Sequence, residues 1–153
     1  MGFFNKKSLV YSPAKGLVKS IAKVNDEMFS TKALGDGFAV EPADGTITAP
    51  VNGTVTSIFP TKHAISLKGK NGLDVLLHIG IDTVELNGSG FTIKVEEGEK
   101  VTADTVLAEV DFDFLQAEGK DTDVMVVFTN LDKRTLEIEE GQADTGQEIG
   151  VVS

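Results

Sequence analysis

Histidines at positions 63 and 78 are the only two in a chain of 153 residues that has no cysteine. Imidazole serves as nucleophile, base or metal ligand, and its ordinary pKa near 6.5 lets it do so at neutral pH. The residues around the pair read as the arms of one β-hairpin, 63–68 and 73–79, joined by Gly69-Lys70-Asn71-Gly72. Gly and Asn tolerate the positive φ that such a turn demands. A two-residue loop at Lys70-Asn71 sets His63 directly opposite His78. A loop at Asn71-Gly72 sets His78 opposite Ile65, with His63 on the diagonal. Both registers put the rings on one face, with Cβ atoms roughly 5 Å or about 7–8 Å apart. A three-residue loop would send them to opposite faces.

In the first register Ala64, Ser66, Leu73, Val75 and Leu77 form the core face. The other face carries His63, Ile65, Leu67, Asp74, Leu76 and His78, and is too apolar to be simply solvated. It is either covered by a second sheet or open to a partner. The plain alternative is that the histidines are satisfied packing residues. If they act, one ring reacts while its neighbour donates a hydrogen bond to the charge that forms.

The elements around the hairpin are β-type. Sixteen glycines, no tryptophan and short β-branched runs broken by Gly, Asn and Asp predict strands at 16–21, 45–48, 54–59, 91–95, 106–110 and 125–128. Helical turns are expected only at 113–118 and 130–134. The segment 13–21 recurs as 50–58 with five identities, including the Pro-x-x-Gly that opens each copy. A second echo pairs Glu96-Glu97-Gly98 and 106–110 with Glu139-Glu140-Gly141 and 149–152. Two copies suit an antiparallel sandwich or barrel of short strands with quasi-duplicated elements. One domain over 13–153 is expected, preceded by a flexible tail, 1–12.

A net charge of −10 and a pI of about 4.6 argue against nucleic acid or anionic lipid as a partner. No apolar run is long enough to span a bilayer, so membrane contact would be peripheral at most, through Phe3, Phe4 and nearby lysines. No secretory signal is legible, and absent cysteine suits a reducing cytoplasm. No phosphate-binding glycine loop precedes a Lys-Ser/Thr pair. Asp111-Phe112-Asp113 starts like a calcium loop, but Gln116 stands where Gly is needed. The sequon matches at Asn52 and Asn87 read as turns. A zinc hydrolase would need a third ligand beyond the two histidines, and no Gly-x-Ser-x-Gly elbow supports a serine triad. A lipoyl- or biotinyl-type carrier would need a flanked lysine at a hairpin tip, which Lys70 is not.

The stretch from Gly72 to Val84, with its His78-Ile79-Gly80-Ile81-Asp82-Thr83-Val84, resembles the active-site signature of the glucose-type IIA component of the phosphoenolpyruvate:sugar phosphotransferase system. The segment 58–67 resembles that family's second-histidine region and 45–55 the strand pair before it. The similarity runs from about Pro13 to Val152; Pro60, Lys62 and the short N-terminal tail are the departures.

The resemblance implies a β-sandwich phosphocarrier, needing no cofactor, that works in the cytoplasm as a monomer. His78 would accept a phosphoryl group from the phosphocarrier HPr and pass it to a cysteine of a sugar-specific IIB domain. His63 would stabilise the phosphate and Thr61 would orient His63. The family's apolar docking patch maps to Met28, Phe29, Leu34, Phe59, Leu76 and Val84, with Asp26 and Asp82 at its rim. Regulatory targets would share that surface, and a partner's carboxylate could complete a zinc site with His63 and His78. The other readings are a zinc-dependent hydrolase on a related sandwich and a non-catalytic regulatory binding module.

Overall fold

A computed structural model describes residues 7–153. Phe3, Phe4 and Lys6 lie outside the described residues. In chain order the elements are β1 (Ser8–Tyr11), β2 (Gly16–Ser20), α1 (Glu27–Ser30), β3 (Asp36–Pro42), β4 (Thr46–Thr48), β5 (Gly53–Ile58), β6 (Ala64–Gly69), β7 (Asp74–Ile79), β8 (Phe91–Ile93), β9 (Lys100–Val101), β10 (Val106–Val110), α2 (Phe112–Ala117), β11 (Val124–Phe128), β12 (Leu136–Ile138), β13 (Gly141–Ala143) and β14 (Glu148–Val152). An eight-stranded antiparallel sheet runs β13-β2-β3-β11-β7-β6-β5-β9, and two three-stranded sheets, β1-β14-β12 and β4-β10-β8, complete the sandwich. The main core packs one face of the large sheet (Phe38, Val40, Ile65, Leu67, Leu77, Val126) against both small ones (Val10, Ile47, Leu107, Ile149). No described helix is long and apolar enough to cross a membrane.

The sequence echoes are the imprint of a quasi-twofold. Strands β1, β2, β3, β11, β12, β13 and β14 correspond to β4, β5, β6, β7, β8, β9 and β10, and each set repeats the other's pairings. The second set is inserted between β3 and β11 of the first. The axis passes beside the Val126–Leu77 pair at the centre of the large sheet. The glycine of each Pro-x-x-Gly serves the same purpose. A Cβ on Gly16 would lie 1.9 Å from the Glu41 carbonyl oxygen, and one on Gly53 would lie 2.1 Å from that of Lys68. Each glycine lets the neighbouring strand close on its own. The symmetry is broken where chemistry is expected: the counterpart of His78 is Val127.

Three expectations are corrected. Residues 8–11 form β1, paired with β14, and so belong to the domain and not to a tail. Residues 130–134 make turns, with Asn130 bonding the Asp74 amide and the Gly72 carbonyl across the hairpin base. The hairpin register also differs from both weighed above. Ala64 pairs with His78 and Lys68 with Asp74, because the loop holds three residues, Lys70-Asn71-Gly72, with φ of +60° at Asn71 and +74° at Gly72. Moving the first arm by one residue exchanges its faces. Ile65 and Leu67 go to the main core, and Ala64 and Ser66 share the outer face with Leu76 and His78.

That outer face is roofed near the middle of the sheet. Ile21, Val24 and Phe29, from the segment between β2 and β3, bury Ala39, Met125, Val127 and Ile81, with Leu76 packed alongside. Asp26 starts α1 by accepting from the Met28 amide at 2.8 Å, an N-cap that turns Phe29 inward.

Candidate active site

His78 stands near the end of β7, on the outer face beside Met125 of β11. Its Nδ1 lies 2.9 Å from the Gly80 carbonyl oxygen. A carbonyl only accepts, so Nδ1 donates, and the lone pair of the neutral ring is left on Nε2. The carbonyl is set by a turn that requires glycine. Gly80 has φ +75°, and a Cβ there would come within 2.5 Å of Thr83 Cγ2. The Gly80 amide donates to the Asp123 carbonyl at 2.8 Å, and buried Thr83 donates to the Ile79 carbonyl at 2.6 Å.

His63 reaches the same spot by a different route. A strict three-residue hairpin would turn it to the opposite face, but the ladder stops at Ala64. His63 lies in the bend that follows Pro60, where Lys62 has φ +64°. The Lys62 amide donates to the Phe59 carbonyl, the Phe59 amide to that of Ala64, and the Ile79 amide to that of His63. Freed from strand alternation, the His63 ring meets His78 edge-on, with centroids 4.8 Å apart and planes at 79°. Thr61 Oγ1 lies 2.7 Å from His63 Nδ1. The ring is 5% exposed and also meets Phe59 edge-on at 5.6 Å.

Burial holds both rings neutral. It is the largest cause at His78, whose pKa falls to about 4; the neighbouring His63 adds to the fall, while the Gly80 carbonyl and Asp26 oppose it. Burial alone lowers His63 below its ordinary value. Two uncharged imidazoles in contact, one with its lone pair fixed on Nε2, make a nucleophile with a neighbouring ring. Among the described residues no third His, Asp or Glu joins them as a metal cluster.

The expected docking residues divide. Five large apolar side chains are exposed among the described residues, and four of them, Met28, Leu34, Phe59 and Val84, were expected in the patch; Leu9 is the fifth. Phe29 is only 5% exposed, and its ring packs on His78 at 5.0 Å, so it forms a wall of the site. Leu76 is half-buried against the roof. Asp26 is half-buried at its N-cap, and Asp82 is exposed with φ +60° in the turn after Gly80.

Residues 8–134 match the family model for the phosphoenolpyruvate-dependent sugar phosphotransferase system, EIIA 1. The chain belongs to that family. The glucose permease IIA of Mycoplasma capricolum superposes with a TM-score of 0.90 at 37% identity, covering 99% of each chain. The glucose-specific EIIA component of Halalkalibacterium halodurans is 40% identical over 97% of this chain and 84% of its own length. The glucose-specific EIICBA component of Streptococcus pneumoniae is 54% identical over 80% of this chain. This chain spans about a fifth of the length of its EIICBA relatives. The family match makes this chain an EIIA-type part of the phosphotransferase system.

Sequence reasoning missed two parts of this EIIA site. The Gly80 carbonyl is a backbone group, and the only signal for it was a glycine two residues after a histidine. The Phe29 wall was hidden because a four-residue helix, Glu27–Ser30, has too little periodicity to show which side faces inward.

Proposed function

We infer that His78 Nε2 is the phosphoryl acceptor and that the chain relays the group from phospho-HPr to a cysteine of a IIB domain, for uptake of a glucose-type sugar by a cytoplasmic route. The observation that carries this reading is the His78 Nδ1–Gly80 carbonyl bond beside the His63 ring. The Nε2 lone pair forms the new N–P bond as the donor's phosphoramidate N–P bond breaks in line, and the electron pair returns to the donor ring. The phosphorylated ring keeps its Nδ1 proton and gains positive character, which the Gly80 carbonyl stabilises. Thr61 donates its hydroxyl hydrogen to His63 Nδ1, which leaves an Nε2–H on His63 to hold a phosphoryl oxygen. In the second transfer a IIB thiolate attacks phosphorus and the His78 N–P bond breaks. Its electron pair returns to Nε2.

Met28, Leu34, Phe59 and Val84 give a protein donor an apolar landing around recessed rings, and Asp26 and Asp82 face its basic rim. The EIICBA relatives, by name, join the IIA part to B and C parts in one chain, which supports IIB as the acceptor. The test is ³²P transfer from phosphoenolpyruvate through enzyme I and HPr. His78→Ala should abolish labelling, and undiminished labelling would reject the assignment. His63→Gln should still accept phosphate but fail to hand it on efficiently; full sugar phosphorylation would make His63 a packing residue.

A further inference from the structure

The main chain that fixes His78 is anchored from across the sheet by charges that take no part in the chemistry. Lys19 pairs with Ala39, Ala39 with Met125 and Met125 with His78, so one row of side chains crosses β2, β3, β11 and β7 on the outer face. Glu41 and Asp123 lie on that face too. They stand one step beyond the Val40–Val124 pair and so oppose each other. Lys19 Nζ lies between them, 3.0 Å from Glu41 Oε2 and 2.9 Å from Asp123 Oδ2. The Lys19 and Asp123 side chains are only 14% and 15% exposed. Burial disfavours the Lys19 charge, yet hydrogen bonds and attraction to Asp123 and Glu41 outweigh it and hold its pKa above the ordinary value. The carbonyl of Asp123 accepts from the Gly80 amide at 2.8 Å, and the carbonyl of Gly80 accepts from His78 Nδ1 at 2.9 Å.

We propose that Lys19 is a positioning residue for phosphoryl transfer. By clasping Asp123 to Glu41 it holds the Asp123 carbonyl against the Gly80 amide, and through Gly80 it keeps the proton of His78 on Nδ1. Without the ammonium, the Asp123 carboxylate, 15% exposed, loses its cation and faces the half-exposed Glu41 carboxylate across the strand pair. Asp123 then moves off β3 and takes its carbonyl away from Gly80. The Gly80 peptide is free to rotate, and the lone pair of His78 is no longer confined to Nε2. This inference rests on Nε2 being the acceptor.

The experiment compares the ¹⁵N-labelled chain with its Lys19→Met and Lys19→Arg variants. In Lys19→Met the Gly80 amide should exchange with solvent about tenfold faster, while the Ile79 amide, bonded to the His63 carbonyl, keeps its protection. The ring ¹⁵N shifts of His78 should move toward a mixture of tautomers. The turnover number for accepting phosphate should fall several-fold with the KM for phospho-HPr unchanged. Lys19→Arg should restore all three readings, as should Asp123→Asn added to Lys19→Met, because the repulsion is then gone. Equal loss of protection at Ile79 and Gly80 with unaltered His78 shifts would make Lys19 a stabilising ion pair only and overturn the proposal. If Lys19→Met does not fold, Lys19→Gln carries the same expectations and the same contradiction. Label on His78 in the unaltered chain is scored separately. Its loss would defeat the acceptor assignment while the Gly80 and ring readings still judge the clasp.

Discussion

At the scale of single residues the site depends on where two protons sit. His78 donates from Nδ1 to the Gly80 carbonyl, and in the proposed reading the Thr61 hydroxyl donates to His63 Nδ1, which would turn a bare nitrogen and an N–H toward the incoming phosphate. Thr61→Val removes the second constraint. It should slow transfer about tenfold while costing at most about 1 kcal/mol of stability, read by ³²P kinetics beside urea unfolding. Gly80→Ala attacks the first. A Cβ 2.5 Å from Thr83 Cγ2 at φ +75° should cost about 1–3 kcal/mol and reduce acceptance of phosphate. The depressed histidine pKa values also set a pH dependence. Between the ordinary value near 6.5 and about 4, the unfolded chain binds a proton at position 78 that the folded chain refuses. Stability is therefore full above that window and falls as pH drops through it. Replacing His78 by Gln should flatten the fall, measured as urea midpoints from pH 7 to 4.5.

At the scale of elements, the decisive part is the hairpin loop. Three residues, Lys70-Asn71-Gly72, set the register that sends Ile65 and Leu67 to the core and Ser66 outward. Deleting Lys70 while the loop keeps three residues, Gly69-Asn71-Gly72, slides the first arm by one place and drives Ile65 and Leu67 onto the outer face, so the deletion should cost the domain most of its stability in a thermal scan. A Tm within a few degrees of the parent would show that the turn does not set the register. This register was not legible beforehand, because Asn and Gly at the tip suit two-residue and three-residue loops equally well. The meeting of the rings was legible only in part. The sequence placed both histidines beside one hairpin, but the route taken by His63 depends on a bend at Thr61–Lys62 that periodicity cannot show. Strand β3 was missed for another reason. Phe38, Ala39 and Val40 are all fully buried, with no alternation to read, and Gly35-Asp36-Gly37 before them looks like a turn. Strands opened by Pro-x-x-Gly were visible because that signal is local.

At the scale of the molecule, a quasi-twofold sandwich carries its imidazoles on one side of the axis only. Val127 stands where a second His78 would be, so the duplicated frame supplies rigidity for one site. The chain as a whole carries a net charge of −10. Association with phospho-HPr should therefore slow as salt is raised from 50 mM to 500 mM, by about tenfold or more, with little change in dissociation. Stopped-flow rates that ignore salt would remove charge steering from the docking step. The most direct measurement of all is heteronuclear ³¹P–¹⁵N NMR of the chain phosphorylated by HPr. Phosphorus should couple to Nε2 of His78, with the proton still on Nδ1. Phosphorus on Nδ1 of His78, or on His63, would contradict the site at its centre.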